Sequence, residues 1–190
     1  MHIRDVFKMP KPVNVTGRTS TITNSFVNSI IPVIEPTEDE LEKALEILGL
    51  SKEDLRCAYC GEKFTEWDHL RPIVANKRPT GYISEIHNLV PACGKCNQSK
   101  GGKYWKDWLK SDAKFSPNKR GIPNLDEKIA HLEAYEKWGN VKPLNLEELV
   151  GSELWGQHWD NCQKLHEQMK KAQELAEKIR GVIRARIHKT

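Results

Sequence analysis

Residues 57–101, CAYCGEKFTEWDHLRPIVANKRPTGYISEIHNLVPACGKCNQSKG, decide the fold of this chain. Two Cys-x-x-Cys pairs open and close the stretch, Cys57 with Cys60 and Cys93 with Cys96. Four thiolates in two such pairs can form a closed tetrahedral zinc site, and disulfides are the alternative that the spacing leaves open. The loop between the pairs is longer than the roughly 15–20 residues of a simple zinc ribbon. We therefore expect a structural Zn²⁺ that clamps a loop carrying chemistry.

Polar residues in and just after this loop form an ordered motif. Asp68 and His69 are adjacent, Asn88 follows in the second half of the loop, and Asn97 stands directly after the last cysteine. The order DH, N and N, framed by CxxC and CxxCNxxK, resembles the HNH family of nucleases with the ββα-metal fold. The resemblance implies a two-stranded hairpin followed by a helix.

The resemblance also implies a role for each motif residue. Asp68 and Asn97 would bind a catalytic Mg²⁺ or Mn²⁺ ion, His69 would be the general base, and Asn88 would orient His69. Glu66 lies on the Asp68 face of the strand and is a candidate auxiliary ligand. Successive strand side chains point to opposite faces. The resemblance therefore implies a strand end or a distortion at Asp68 and His69, so that both can serve one site.

The charge distribution points to phosphate contacts. The net charge is only +4, but basic residues dominate residues 94–120 and 170–190, whereas acidic residues dominate residues 121–169. Basic blocks beside a nuclease-like motif favour double-stranded DNA as the partner. The candidate nucleic-acid-binding residues lie in the motif loop and around the second cysteine pair: Arg71, Lys77, Arg78, Lys95, Lys100 and Lys103.

The rest of the sequence predicts an α+β fold that is mostly helical. We divide the chain into an extended N-terminal arm (1–36), a zinc-bound nuclease core (37–120) and a helical C-terminal region (121–190). Thr37 and Glu40 form a capping box for a first helix that Gly49 ends. A second amphipathic helix is predicted over residues 125–138. Trp67 is expected in the core.

A long C-terminal helix is predicted from about residue 152 to 187, where proline is absent. Apolar or small residues recur along it with a seven-residue period: Trp155, Cys162, Met169, Ala176 and Ile183, together with Leu165, Ala172 and Ile179. Such a seam predicts helix pairing. We expect a homodimer through this helix, and the alternative is that residues 125–150 and the first helix fold back and bury the seam.

The remaining composition argues against membranes and export. No run approaches the roughly 20 apolar residues needed to span a bilayer, and the N-terminal residues lack an apolar signal-peptide core. Four cysteines in metal spacing then favour a reducing cytoplasm.

These observations predict a metal-dependent DNA endonuclease that hydrolyses phosphodiester bonds, of the restriction type that cuts both strands. A nicking or phage-associated HNH endonuclease is the alternative within enzymes. A zinc-stapled nucleic-acid-binding module without catalysis is the alternative from another class.

Overall fold

The computed structural model describes residues 9–187, and their contacts form two units. The central unit comprises residues 27–149, and the terminal unit combines the residues up to Phe26 with those from Val150 onward. Contacts therefore group the two ends of the chain together, whereas our sequence-based division treated them as separate regions. The physical reason lies in the helices of the terminal unit, described below.

The central unit begins with helix α2, Glu38–Leu48, which the sequence marked at both ends (α1, Thr19–Asn28, precedes it). The Thr37 hydroxyl accepts from the backbone N–H of Glu40, and the Glu40 carboxylate accepts from the backbone N–H of Thr37 at 2.8 Å. Gly49 ends the helix with φ +63°, a conformation that favours glycine. A Cβ at this position would also clash with the His131 ring. The capping box is therefore confirmed.

An antiparallel hairpin forms the middle of the central unit. Strand β1, Glu66–His69, pairs with β4, Leu89–Ala92, in a register that places Asp68 opposite Val90. The connection contains a second small hairpin, β2 Val74–Ala75 and β3 Arg78–Pro79, and a 3-10 turn, Ile86–Asn88. Asn76 and Lys77 have positive φ angles at the tip of the small hairpin, as a tight two-residue turn requires.

Helix α3, Gly94–Lys100, follows β4 directly and packs against β1. The order β1, β4, α3 is the ββα arrangement that the sequence predicted. Two further helices lie in the central unit: α4, Trp105–Lys110, and α5, Leu125–Trp138. A third helix, α6, Leu146–Val150, begins in the central unit and ends one residue beyond it. The α+β, mostly helical fold class is confirmed.

The core of the central unit lies between the hairpin and helices α2 to α5. Its largest fully buried side chains include Trp105, Trp108, Tyr59, Tyr135 and Leu132. The expectation that Trp67 is a core residue is wrong. Its side chain is 48% exposed and lines an apolar groove with Leu45 and Pro91.

The terminal unit consists of the long helix α7, Ser152–Ile187, and the N-terminal segment that packs on it. The segment contains a 3-10 turn, Val15–Arg18, and most of α1. The backbone N–H of Val15 donates to Gln173 Oε1 at 2.8 Å, and His158 Nε2 lies 3.0 Å from the Phe26 carbonyl oxygen. None of the helices in the described part of the chain is both long and apolar enough to cross a membrane.

The N-terminal segment is not the extended arm that we predicted, although its first eight residues lie outside the described part. The sequence of α1, TSTITNSFVN, is rich in β-branched and short polar residues, which have low helix propensity. Packing on α7 outweighs that propensity, because most helical stability in proteins comes from tertiary contacts. The segment covers the α7 face that carries Trp159, Cys162 and Gln173.

Within the terminal unit, residues 15–26 cover part of α7. The homodimer through α7 and the fold-back of residues 125–150 both remain predictions. Cys162 is buried as expected. The seam residues Leu165, Ile179 and Ile183 remain exposed. Part of the predicted seam is therefore used within the terminal unit, and part of it faces outward.

We expect Leu132→Ala to lower the free energy of unfolding by about 2–5 kcal/mol, because it leaves a cavity at a fully buried position between α5 and α2. Leu149→Ala is the matched control, since Leu149 is 68% exposed. Urea unfolding of both variants at fixed zinc concentration measures the difference. Equal stability of the two variants would contradict the packing described for α5.

Candidate metal centre and active site

The four cysteines of the two pairs converge in one cluster. Their Sγ atoms all lie within 4.8 Å of one another, and Cys60 Sγ is 3.7 Å from Cys93 Sγ. Tetrahedral coordination with Zn–S bonds of about 2.3 Å requires S–S distances of about 3.8 Å. The cysteines are free thiols rather than disulfides. The donor type and the spacing therefore fit structural zinc.

Local backbone structure presents the sulfur atoms. The Gly61 N–H donates to the Cys57 carbonyl at 2.8 Å, and Gly61 has φ +75°, so the chain turns tightly after the first pair. Cys93 is the N-cap residue of α3, and Cys96 lies in its first turn. The cluster thus joins the turn before β1 to the start of α3.

Without a metal, the cluster disfavours four thiolates at once. Hydrogen bonding to Cys60, and then burial, raise the pKa of Cys57 to about 12, and neighbouring sulfur atoms and burial also raise the pKa of Cys96. Arg120 Nη1 donates to Cys96 Sγ at 3.6 Å, and its other terminal nitrogen donates to Glu62. One guanidinium cannot balance four thiolates, whereas a divalent metal stabilises them directly.

Asp68 lies in a buried ion pair between β1 and α3. Lys100 Nζ donates to Asp68 Oδ1 at 3.2 Å and is 3.1 Å from Oδ2, and the Tyr59 hydroxyl donates to Oδ2 at 2.6 Å. Burial raises the pKa of Asp68 and lowers that of Lys100, and each charge counteracts the shift of the other. Both carboxylate oxygens of this predicted metal ligand therefore already have partners.

His69 points away from Asp68, as strand alternation requires, and β1 ends at His69. Its Nε2 atom lies 2.8 Å from Ser84 Oγ. Burial, and then the charge of Lys100, lower the pKa of His69 to about 4. At neutral pH His69 is therefore a neutral imidazole with one unprotonated ring nitrogen.

Asn88 is fully buried and binds the backbone around His69 rather than its ring. Asn88 Oδ1 accepts from the Arg71 N–H at 2.8 Å, and Asn88 Nδ2 donates to the carbonyl oxygens of Arg71 and Ile83 at 3.1 Å. Arg71 follows His69 by two residues, and Ile83 precedes Ser84. Asn88 thus positions both partners of the His69–Ser84 contact through the main chain.

Asn97 lies on α3 and contacts Glu66 of β1. Asn97 Nδ2 donates to Glu66 Oε2 at 2.7 Å. Glu66 and Asp68 share one face of the strand, and the charge of Glu66 raises the pKa of Asp68. Carboxylate and amide oxygens are the donors that Mg²⁺ and Mn²⁺ prefer. The donor set fits such an ion in chemistry, although Asp68 would have to exchange partners to join it.

The predicted DNA-contacting residues are placed in two different environments. Arg71 is buried and its guanidinium donates to the backbone carbonyls of His87 and Glu136, and Lys100 is fully buried. The structure thus gives Arg71 and Lys100 internal partners instead of the surface positions we expected. The others are exposed: Lys77 and Arg78 at the small hairpin, Lys95 in the first turn of α3, and Lys103 just after the end of α3. Lys95 Nζ is 3.7 Å from Glu62, and Lys103 Nζ donates to the Ser99 carbonyl.

Three further residues position the site through hydrogen bonds, and the sequence motif did not identify them. Tyr59 lies between the first two cysteines and binds Asp68, Ser84 contacts His69, and the Tyr135 hydroxyl donates to the carbonyl oxygens of Ile86 and Leu89. Only the position of Tyr59 inside a Cys-x-x-Cys pair hinted at a role. The other two meet the site across long sequence separations.

Comparisons with known proteins agree with this geometry. Residues 57–103 match the family model described as HNH endonuclease. A segment of 67 residues is 35% identical to the CRISPR-associated endonuclease Cas9 of Corynebacterium diphtheriae, covering 33% of this chain and 6% of that protein. This chain therefore corresponds to a small part of that relative. No solved structure matches the chain. The matched segment contains both cysteine pairs, His69, Asn88 and Asn97, and residues 57–103 are accordingly an HNH endonuclease domain.

Proposed function

We propose that this chain is a metal-dependent DNA endonuclease with His69 as its general base. The observation that carries the proposal is an imidazole held by Ser84 at the motif histidine of an HNH endonuclease domain. A general base must be unprotonated at the working pH and held in place. A zinc-stapled binding module without catalysis would not require either property.

The His69 ring takes a proton from the attacking water in this proposal. The contact with Ser84 limits rotation of the ring, and Asn88 holds the main chain on both sides of that contact. Lys100 donates to the His69 carbonyl at 2.8 Å and so positions the end of β1. Orientation of this kind lowers the entropic part of the barrier.

Asp68 and Asn97 are the proposed ligands of one divalent ion, Mg²⁺ or Mn²⁺. When bound, such an ion stabilises the negative charge that develops on the phosphate and the leaving oxygen. Asn97 offers its amide oxygen, because its nitrogen is the atom that donates to Glu66. The thiolate cluster selects the softer zinc ion, so the two metals are separated by ligand type.

The zinc cluster has a structural role in this proposal. Cys96 immediately precedes Asn97, so coordination of its sulfur also fixes the main chain beside the proposed ligand. Free thiols in this arrangement support the cytoplasm as the proposed location.

Double-stranded DNA is the proposed substrate, and two catalytic centres are the simplest route to cutting both strands. We propose that α7 supplies them by pairing in a homodimer of the restriction type. Its C-terminal half carries an exposed apolar stripe, Leu175, Ile179, Val182, Ile183 and Ile187, beyond the region that residues 15–26 cover. The single His69 centre per chain favours a nicking or phage-associated endonuclease if the chain acts alone.

Zinc is tested by metal analysis and by Cys96→Ser. We expect about one zinc per chain in the wild type, and loss of folding in Cys96→Ser, because zinc binding is coupled to folding at such sites. Cys162→Ser is the control, since Cys162 is a buried cysteine far from the cluster in sequence. Purified folded protein without stoichiometric zinc would contradict the assignment.

His69→Ala should abolish DNA cleavage while the fold and zinc content are retained. Loss of a general base typically costs about 10²–10⁴-fold in rate. Cleavage of plasmid DNA in Mg²⁺ or Mn²⁺ measures the effect, and His166→Ala provides a matched control on α7. Near-normal cleavage by His69→Ala would remove this residue from the mechanism.

Ile179→Glu should convert the proposed dimer into a folded monomer that nicks plasmid DNA rather than linearising it. A charge in an apolar helix interface is desolvated without a partner. Light scattering measures the mass, and Gln168→Glu adds the same charge at an exposed position as a control. A wild-type protein that stays monomeric at micromolar concentration, with and without DNA, would rule out the dimer.

A further inference from the structure

The Lys100 ammonium contacts both carboxylate oxygens of Asp68, the proposed ion ligand. Besides Asp68, Lys100 Nζ donates to the carbonyl oxygens of His69 at 2.8 Å and Gly101 at 3.3 Å. The side chain is fully buried. All three ammonium protons therefore have oxygen acceptors, so the lysine is coordinated by a carboxylate and two carbonyls, which are also the donors of a hard cation.

One of the two carboxylates at this position is bound by an amide rather than by a cation. Glu66 and Asp68 contribute two carboxylates on one face of β1, and the Lys100 ammonium of α3 contacts the Asp68 carboxylate. Asn97 Nδ2 contacts the carboxylate of Glu66 but adds no charge. A second positive charge would be stabilised here, since the attraction between opposite charges grows in a partly buried site.

Lys100 is also placed where it can move. It is the last residue of α3, and Gly101 and Gly102 follow it. Gly101 has φ +50° and ψ −131°, a conformation that favours glycine. A lysine carries its charge on a flexible four-carbon stem. The ammonium can therefore leave Asp68 without disrupting the helix that carries Asn97.

We propose that Lys100 is a built-in competitor for the divalent ion, which holds Asp68 in the metal-free protein and is displaced when the ion binds. The proposal rests on Asp68 being an ion ligand, as stated under the proposed function. A ligand that is held in another interaction binds its ion more weakly, by the fraction of time for which it is available. Lys100 thus keeps the buried Asp68 paired in the absence of metal and sets the metal concentration at which the site fills.

The test is a Mn²⁺ titration of intact, zinc-loaded protein, with free Mn²⁺ measured by electron paramagnetic resonance. Lys100→Met removes the competing charge and keeps an unbranched side chain. We expect its Kd for Mn²⁺ to fall by about tenfold or more. Lys110→Met is the matched control, since Lys110 is an exposed lysine at the end of α4, and its Kd should equal that of the wild type. A purely structural role of Lys100 predicts unchanged or weaker Mn²⁺ binding in Lys100→Met, which would overturn the proposal.

A second measurement needs no variant at position 100, because Lys100→Met leaves Asp68 without its cation and is liable to unfold. Wild-type protein is acetylated with an amine-specific reagent with and without saturating Mn²⁺, and each lysine is followed by mass spectrometry. We expect Lys100 to be protected in the metal-free protein and reactive with Mn²⁺, whereas the exposed Lys110 reacts equally in both. Equal protection of Lys100 in both states overturns the exchange.

These experiments distinguish failure of the Lys100 exchange from failure of the endonuclease proposal. Asp68→Asn should abolish Mn²⁺ binding, and a variant that binds like the wild type would remove Asp68 from the ion site and overturn the exchange with it. DNA cleavage by a wild type whose Lys100 stays protected would overturn the exchange but leave the endonuclease proposal intact. A wild type that neither binds Mn²⁺ nor cleaves DNA would overturn both.

Discussion

The convergence of four sulfur atoms is the constraint on which the rest of the central unit depends. Cys60 and Cys93 are 33 positions apart in the chain, yet their sulfur atoms lie 3.7 Å apart. Closing a loop of that length costs conformational entropy, and the regular structure inside the loop is limited to four short strands and a 3-10 turn. The cluster brings β1 and α3 together at one end, and the Asp68–Lys100 ion pair joins them at the other. The candidate site lies on the elements that these two contacts hold.

The site has two sides because β1 is a regular strand. Asp68 and Glu66 face α3, where Asn97 and Lys100 are, whereas His69 faces Ser84 on the far side of the loop. Lys100 connects the sides by binding both the Asp68 carboxylate and the His69 carbonyl. Its charge also lowers the pKa of His69. Movement of this one lysine would therefore change the interactions of the proposed base, His69, as well as those of the proposed ion ligand, Asp68.

Helix α5 lies outside the segment that matches the HNH family, yet two of its residues stabilise the site. The Tyr135 hydroxyl binds the carbonyl oxygens on both sides of the turn that contains Asn88, and the Glu136 carbonyl accepts from Arg71. Buried polar groups of this kind cost free energy unless they are paired. The helix is therefore part of the apparatus that positions Asn88, although its sequence reads only as an amphipathic support.

The sequence by itself determined the features that depend on local chemistry. Cysteine spacing, the order of the motif residues, the capping box of α2 and the extents of α5 and α7 all follow from residues close together in the chain, and the structure agrees with them. Tertiary structure decided the rest. Packing on α7 made a helix of the predicted arm, and burial turned Arg71 and Lys100 from expected phosphate contacts into internal cations. Their partners, Glu136 and Asp68, lie 65 and 32 positions away. A sequence does not show whether a basic residue will be solvated or will pair with a distant carboxylate. The outcome depends on the free energy of burying that residue against parts of the chain that are far away in sequence.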